Sequence, residues 1–136
     1  GPILARKYLV NQDRWPVLVG LLVSISGFFY FLVGWTLDQS LYLTVVLVIL
    51  AHAASGANWV LSTILTQHWV EDEVRGRVFS MDMLMMSIAF SVSSATAGYL
   101  LDIDFYTLRE GFLIFSSLMI MSGIFFTLWR PDVVKA

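Results

Sequence analysis

Four long apolar runs limit what this chain can fold into. Residues 15–37, 41–66, 78–101 and 108–129 are each about 20 residues or more, enough to cross about 30 Å of hydrocarbon as a helix. Inside lipid the backbone must satisfy its own hydrogen bonds, which leaves helices or a closed barrel. The runs are continuously apolar and lack the in-out alternation of a barrel strand. The expected fold is therefore an all-α membrane protein with four transmembrane helices, forming one membrane region over residues 1–136. Composition agrees: 58% of the residues are apolar and 13% charged, with a mean hydropathy of +0.78. That balance excludes an ordinary soluble domain and a disordered chain.

The polar punctuation sets the topology. Asp38-Gln39-Ser40 is too short to do more than join antiparallel neighbours, so the first two spans form a hairpin. Thr107 and Glu110 have the spacing of a capping box at the start of the fourth span, and Pro131 stops that helix. Arg6, Lys7 and Arg14 precede the first span, Arg75 and Arg77 separate the second from the third, and Arg130 and Lys135 follow the fourth. The opposite side holds only Arg109, among Asp38, Asp102, Asp104 and Glu110. The positive-inside rule places both termini and the middle basic segment in the cytoplasm, in a multi-pass protein of the cell (plasma or inner) membrane.

The first span is too long for a secretory signal, has no small-residue cleavage site and runs at once into a second span. The chain lacks an initiator Met and opens as a loop, which predicts a piece of a longer protein, although Gly1-Pro2 also fits a protease-tag scar.

The net charge of −2, with basic residues scattered among the loops, argues against a nucleic-acid partner. Without Cys there is no disulfide framework or thiol nucleophile. No nucleophile-base pair, phosphate loop or metal cluster has usable spacing, so neither an enzyme nor a cofactor is expected. His68 lies about four turns from His52 and no carboxylate sits at ligand spacing to either, so no metal site is expected.

Polar groups avoid lipid and face the bundle or a water-filled path. Spans two and three carry more of them than spans one and four, which look like lipid-facing supports. On span two, gaps of three or four put His52, Ser55, Trp59, Ser62 and Thr66 along one stripe, with Asn58 beside it. His52 is the central titratable group: it is either a proton or substrate contact or a neutral histidine bonded between helices. Asn58 is either a substrate hydrogen-bonding group or an interhelical one. Serines and threonines of membrane helices commonly bond back to their own backbone, so none is taken as a site residue. Gly20, Gly27 and Gly34 keep one face of span one bare for close approach of another helix, as do Ala89, Ser93 and Ala97 on span three.

The stretch 71–82 is the most informative. Its acidic residues complement the start of a helix, Gly76 permits close backbone approach, and Arg75 and Arg77 can reach carboxylates or lipid phosphates at the rim. Asp82, about one turn inside that rim, needs a basic partner from this segment or from the Arg6-Lys7 loop.

The segment from Val70 to Val78 resembles a pattern of the major facilitator superfamily, Val-Pro-Asp-Glu-Leu-Arg-Gly-Arg-Val, with Glu71 in place of the Pro. The likeness is to the bacterial efflux branch that includes the enterobactin exporter and the macrolide efflux proteins. The tract from Gly1 to Lys7 is similar to that family's basic loop between the eighth and ninth helices, with Ala5 for its Asp and Tyr8 for its Gly. The resemblance implies that the four spans correspond to helices nine to twelve of a twelve-helix fold. It further implies a secondary transporter of small organic molecules, a proton-coupled exporter that works by alternating access. Arg75, Gly76, Arg77, Asp82 and Arg6 would belong to a cytoplasmic latch, and His52 and Asn58 to the substrate or proton path. The implied partners are the bilayer, the missing N-terminal part of the transporter, a small-molecule substrate and protons. A small four-helix multidrug transporter would need an acidic residue embedded in an early span, and span one has none. A four-span scaffold without transport activity is the alternative of another class.

Overall fold

The computed structural model describes residues 15–128, which form four helices and no strand. They are α1 (Trp15–Thr36), α2 (Leu41–Trp69), α3 (Asp72–Asp102) and α4 (Leu108–Leu128), each long and apolar enough to cross a membrane. Pro16 stands in the first turn of α1, where a missing N–H costs nothing. The turn after α1 is closed by Gln39 N donating to Thr36 O at 2.9 Å. Ser40, in extended conformation, then caps α2 by accepting from Leu43 N at 3.4 Å. The capping box of α4 forms in full. Thr107 N donates to Glu110 Oε2 at 2.7 Å, and Glu110 N donates back to Thr107 Oγ1 at 3.3 Å. Between α3 and α4 the chain reverses through Asp104, whose φ of 53° lies in the left-handed region that Asp tolerates better than most residues.

Two helices run further than the apolar runs. α2 continues to Trp69 and α3 starts at Asp72, so the interval 67–77, read from sequence as a loop, is helix apart from Val70 and Glu71. Apolar content measures the hydrocarbon crossed, whereas helix length is set by caps and breakers, and 72–77 contains no Pro. Asp72 and Glu73 in the first turn of α3 complement its dipole, and Glu71 O accepts from both Val74 N and Arg75 N. Gly76 meets nothing: a Cβ there would find no atom within 4 Å, so it permits no close approach among the described residues.

Packing centres on α1, which lies along α4 and also against α2. The glycine series is the reason α1 and α4 come so close. A Cβ on Gly27 would stand 2.9 Å from Ile120 Cγ1, and one on Gly34 would stand 2.9 Å from Phe112 Cβ. Gly20 faces Gly123, where an added Cβ would meet Gly123 O at 2.7 Å. On the α2 side, Ser26 is fully buried and donates to Ala51 O at 3.0 Å, tying the hairpin near its middle. Trp15, Leu61 and Leu65 form a buried cluster at the opposite end from the 37–39 turn. α3 differs from the other three in having no buried residue. Among the described residues its small-residue face carries no neighbour over most of its length: Ala89 and Ser93 are exposed and only Ala97 is half-buried.

Candidate functional site

The face of α2 turned to α1 holds the buried Leu47, Ala51, Leu61 and Leu65. The 3.6-residue period therefore turns the polar stripe elsewhere: His52, Trp59 and Ser62 are exposed, and Ser55 and Thr66 are half-buried. His52 sits at the edge of the hairpin, within reach of α1. Its Nδ1 is 3.0 Å from Val48 O on its own helix and 3.2 Å from the Tyr30 hydroxyl. The two rings meet edge to face with centroids 5.9 Å apart. Nδ1 carries one lone pair or one proton, so the two contacts belong to different states. With a proton, Nδ1 donates to the Val48 carbonyl; without one, it accepts from Tyr30. A ring protonated on both nitrogens must donate at Nδ1, and the Tyr30 hydroxyl then loses its acceptor.

Asn58 lies six residues further along α2 and is half-buried. Its Oδ1 is buried without a hydrogen-bond partner among the described residues. Unpaired buried acceptors are rare, and this one offers a free lone pair on the helix that carries His52.

At the other end of α2 the charged residues divide into two groups. Arg75 folds back on the junction: it pairs with Asp72 and its Nη2 donates to Val70 O at 3.0 Å. Its role in the structure is to fasten the α2–α3 corner. Arg77 and Asp82 lie further along α3 and, with Val78, Met81 and Met85, border one shallow open depression. No Arg or Lys nitrogen among the described residues comes within 4.0 Å of Asp82. Arg6, the other expected partner, lies outside the described residues.

Four of the five serines of α3 bond back to their own helix: Ser80 to Gly76 O, Ser87 to Met83 O, Ser91 to Ser87 O and Ser93 to Phe90 O. No group of three His, Asp or Glu side chains suited to a metal ion occurs among the described residues.

A cavity of about 270 Å³ opens at the end of the bundle where α1 turns into α2 and α3 into α4. Tyr30, Tyr106, Phe112 and Phe115 bring four rings to it from two helices and the 103–107 turn. Tyr30 stacks on Phe112 at 6.5 Å, and Tyr106 meets Phe115 edge to face at 6.0 Å. None of these aromatics stood out in the sequence, where a ring in an apolar span is unremarkable. The available signal was Tyr30, a hydroxyl on a helix whose other polar groups are small.

No curated protein and no solved structure is detectably similar to the chain. The model of the Major Facilitator Superfamily matches residues 4–136. With four membrane-spanning helices that fit part of the superfamily's twelve-helix fold, this chain belongs to the Major Facilitator Superfamily of membrane transporters.

Proposed function

We propose that the chain forms part of a proton-coupled exporter of small organic molecules that works by alternating access in the cell membrane, with both termini cytoplasmic. The position of His52 Nδ1 between Tyr30 Oη and Val48 O carries the coupling reading. Taking up a proton there exchanges a bond between helices for a bond within one helix, so protonation changes what ties α2 to α1. Asn58, with its unpaired Oδ1, is the polar group on the same helix to meet a substrate donor. At the charged end, Arg77 and Asp82 share a depression and belong with Gly76, Arg6 and the corner-fastening Arg75 to the cytoplasmic latch. Latch charges pair in one state and separate in the other. The export direction and the class of substrate rest on the likeness of Val70 to Val78 to the efflux branch.

Rocking needs two six-helix halves, so the missing N-terminal part is a required partner, together with the bilayer. The test is energised efflux of a panel of small organic molecules from cells that express the full transporter, comparing wild type with His52→Ala and His52→Gln at equal membrane abundance. Both variants should lose efflux driven by a proton gradient while counterflow exchange of substrate survives. Proton-driven efflux at the wild-type rate in both would remove His52 from the proton path.

A further inference from the structure

The aromatic cavity shares Tyr30 with the proposed proton path and otherwise lies apart from it and from the latch. Among the described residues its lining contains no charged side chain, and the Tyr106 and Ser116 hydroxyl protons are already committed. Tyr106 Oη donates to Ala97 O at 3.2 Å, and Ser116 Oγ donates to the carbonyls of Phe112 and Leu113. When His52 Nδ1 is unprotonated, the Tyr30 hydroxyl donates to it at 3.2 Å. In that state the three hydroxyl groups have lone pairs left to offer a ligand and no free protons. The four rings add π faces, which are also electron-rich.

The stretch of chain that carries part of the lining, residues 101–111, is predominantly acidic. Leu101, Tyr106, Leu108 and Gly111 line the cavity, and Asp102, Asp104 and Glu110 are interleaved with them in the chain, all exposed. The one basic side chain of this stretch, Arg109, is turned to Asp38 at 3.7 Å and lies over the Trp35 ring at 5.9 Å, and neither Asp38 nor Trp35 lines the cavity. A lining of acceptors and π faces, carried on a stretch of net negative charge, disfavours anions and gives neutral donor-free molecules only apolar contact. It suits a cation with an apolar coat, which loses less than a bare ammonium on leaving water and gains from the ring faces that the stacked and edge-to-face pairs leave open. The volume is below that of typical drug sites and matches a compact head group.

We infer that this cavity is a binding site for a quaternary or tertiary alkylammonium group, at the end of the bundle opposite the charged α2–α3 corner. The site shares Tyr30 with the proposed proton path and rests on that reading to this extent; the measurement reads binding without a proton gradient, so its failure and the failure of the coupling reading are distinguishable.

The experiment is equilibrium dialysis of the purified full transporter in uncharged detergent. It uses radiolabelled choline as cation and radiolabelled 3,3-dimethylbutan-1-ol as its neutral carbon isostere, on wild type and Phe115→Leu. Phe115 is half exposed and an apolar replacement keeps its bulk. Choline should bind at least tenfold more tightly than the isostere, and Phe115→Leu should weaken choline severalfold while leaving the isostere unchanged. Equal affinity for the two probes, or no binding of choline, overturns the assignment. Choline affinity unchanged in a folded Phe115→Leu protein also overturns it. If that variant does not fold, the comparison of the two probes on wild type decides alone.

Discussion

Gly123→Ala is the smallest change that should separate α1 from α4. A Cβ at position 123 would stand 2.7 Å from the Gly20 carbonyl oxygen and 2.8 Å from Ser24 N, where ordinary contact begins at 3.4 Å. The Ser24 hydroxyl, nearer still, can turn away, but these two obstacles are backbone atoms of α1 that no rotamer change relieves. The helices must part locally by about 0.7 Å, the difference between 3.4 and 2.7 Å. A gap of that size forfeits roughly a quarter to a half of each dispersion contact it opens. In lipid the loss is not recovered by a hydrophobic drive, because helix association there rests on packing. Overpacking of this kind costs about 1–3 kcal/mol.

The measurement is the fraction of full transporter that stays monodisperse in detergent after heating at a fixed rate, beside Ser122→Ala. Ser122 is exposed, its hydroxyl donates to Met119 O at 2.9 Å on the same helix, and its replacement is smaller. Gly123→Ala should lower the midpoint clearly and Ser122→Ala should not. Adding Gly20→Ala to Gly123→Ala should cost less than the two single changes together, since the helices have already parted. Equal midpoints for Gly123→Ala and Ser122→Ala would refute the account of the α1–α4 contact.

Tyr30→Phe removes the hydroxyl opposite His52 Nδ1 and leaves Val48 O as the remaining contact of that nitrogen. It should cost about 0.6 kcal/mol of stability, and in nitrogen NMR of labelled histidine it should shift the neutral tautomer toward the Nδ1-protonated form. An unchanged tautomer ratio would mean that Tyr30 does not bond His52. Asp82→Asn should slow efflux by the full transporter well below the rate of Asp104→Asn, because Asp82 shares its depression with Arg77 whereas Asp104 sits in an exposed turn; equal rates would count against the latch. Thr107→Ala removes the oxygen that accepts from Glu110 N, so hydrogen exchange of the Glu110 amide should quicken by roughly fivefold, the size of an N-cap loss. Exchange at the wild-type rate would show that the cap does not hold the start of α4.

What the sequence makes legible here follows from how local each signal is. The four spans, the Asp38-Gln39-Ser40 turn and the Thr107–Glu110 box depend on residues near one another in the chain, and the helices carry the same signals. The spacing of Gly20, Gly27 and Gly34 gives a bare face, but not that α4 rather than α2 lies on it, because helix order around a bundle is a tertiary fact. The segment 72–77 falls outside the apolar run that begins at 78, since apolar windows register the bilayer and not the helix, although its acidic residues already signal a helix start.

Arg75 shows a further limit. Its partners Asp72 and Val70 O are three and five residues away, so a residue read as a mobile latch element also has a local fastening role. The aromatic cavity was the least legible of all. Tyr30, Tyr106, Phe112 and Phe115 come from two helices and a turn, and in an apolar span each ring alone is indistinguishable from a lipid-facing or core residue. Only the arrangement that engages the Tyr30 and Tyr106 hydroxyls beside the two phenylalanine rings gives the group a common chemistry, and hydrogen-bond direction has no signature in residue spacing.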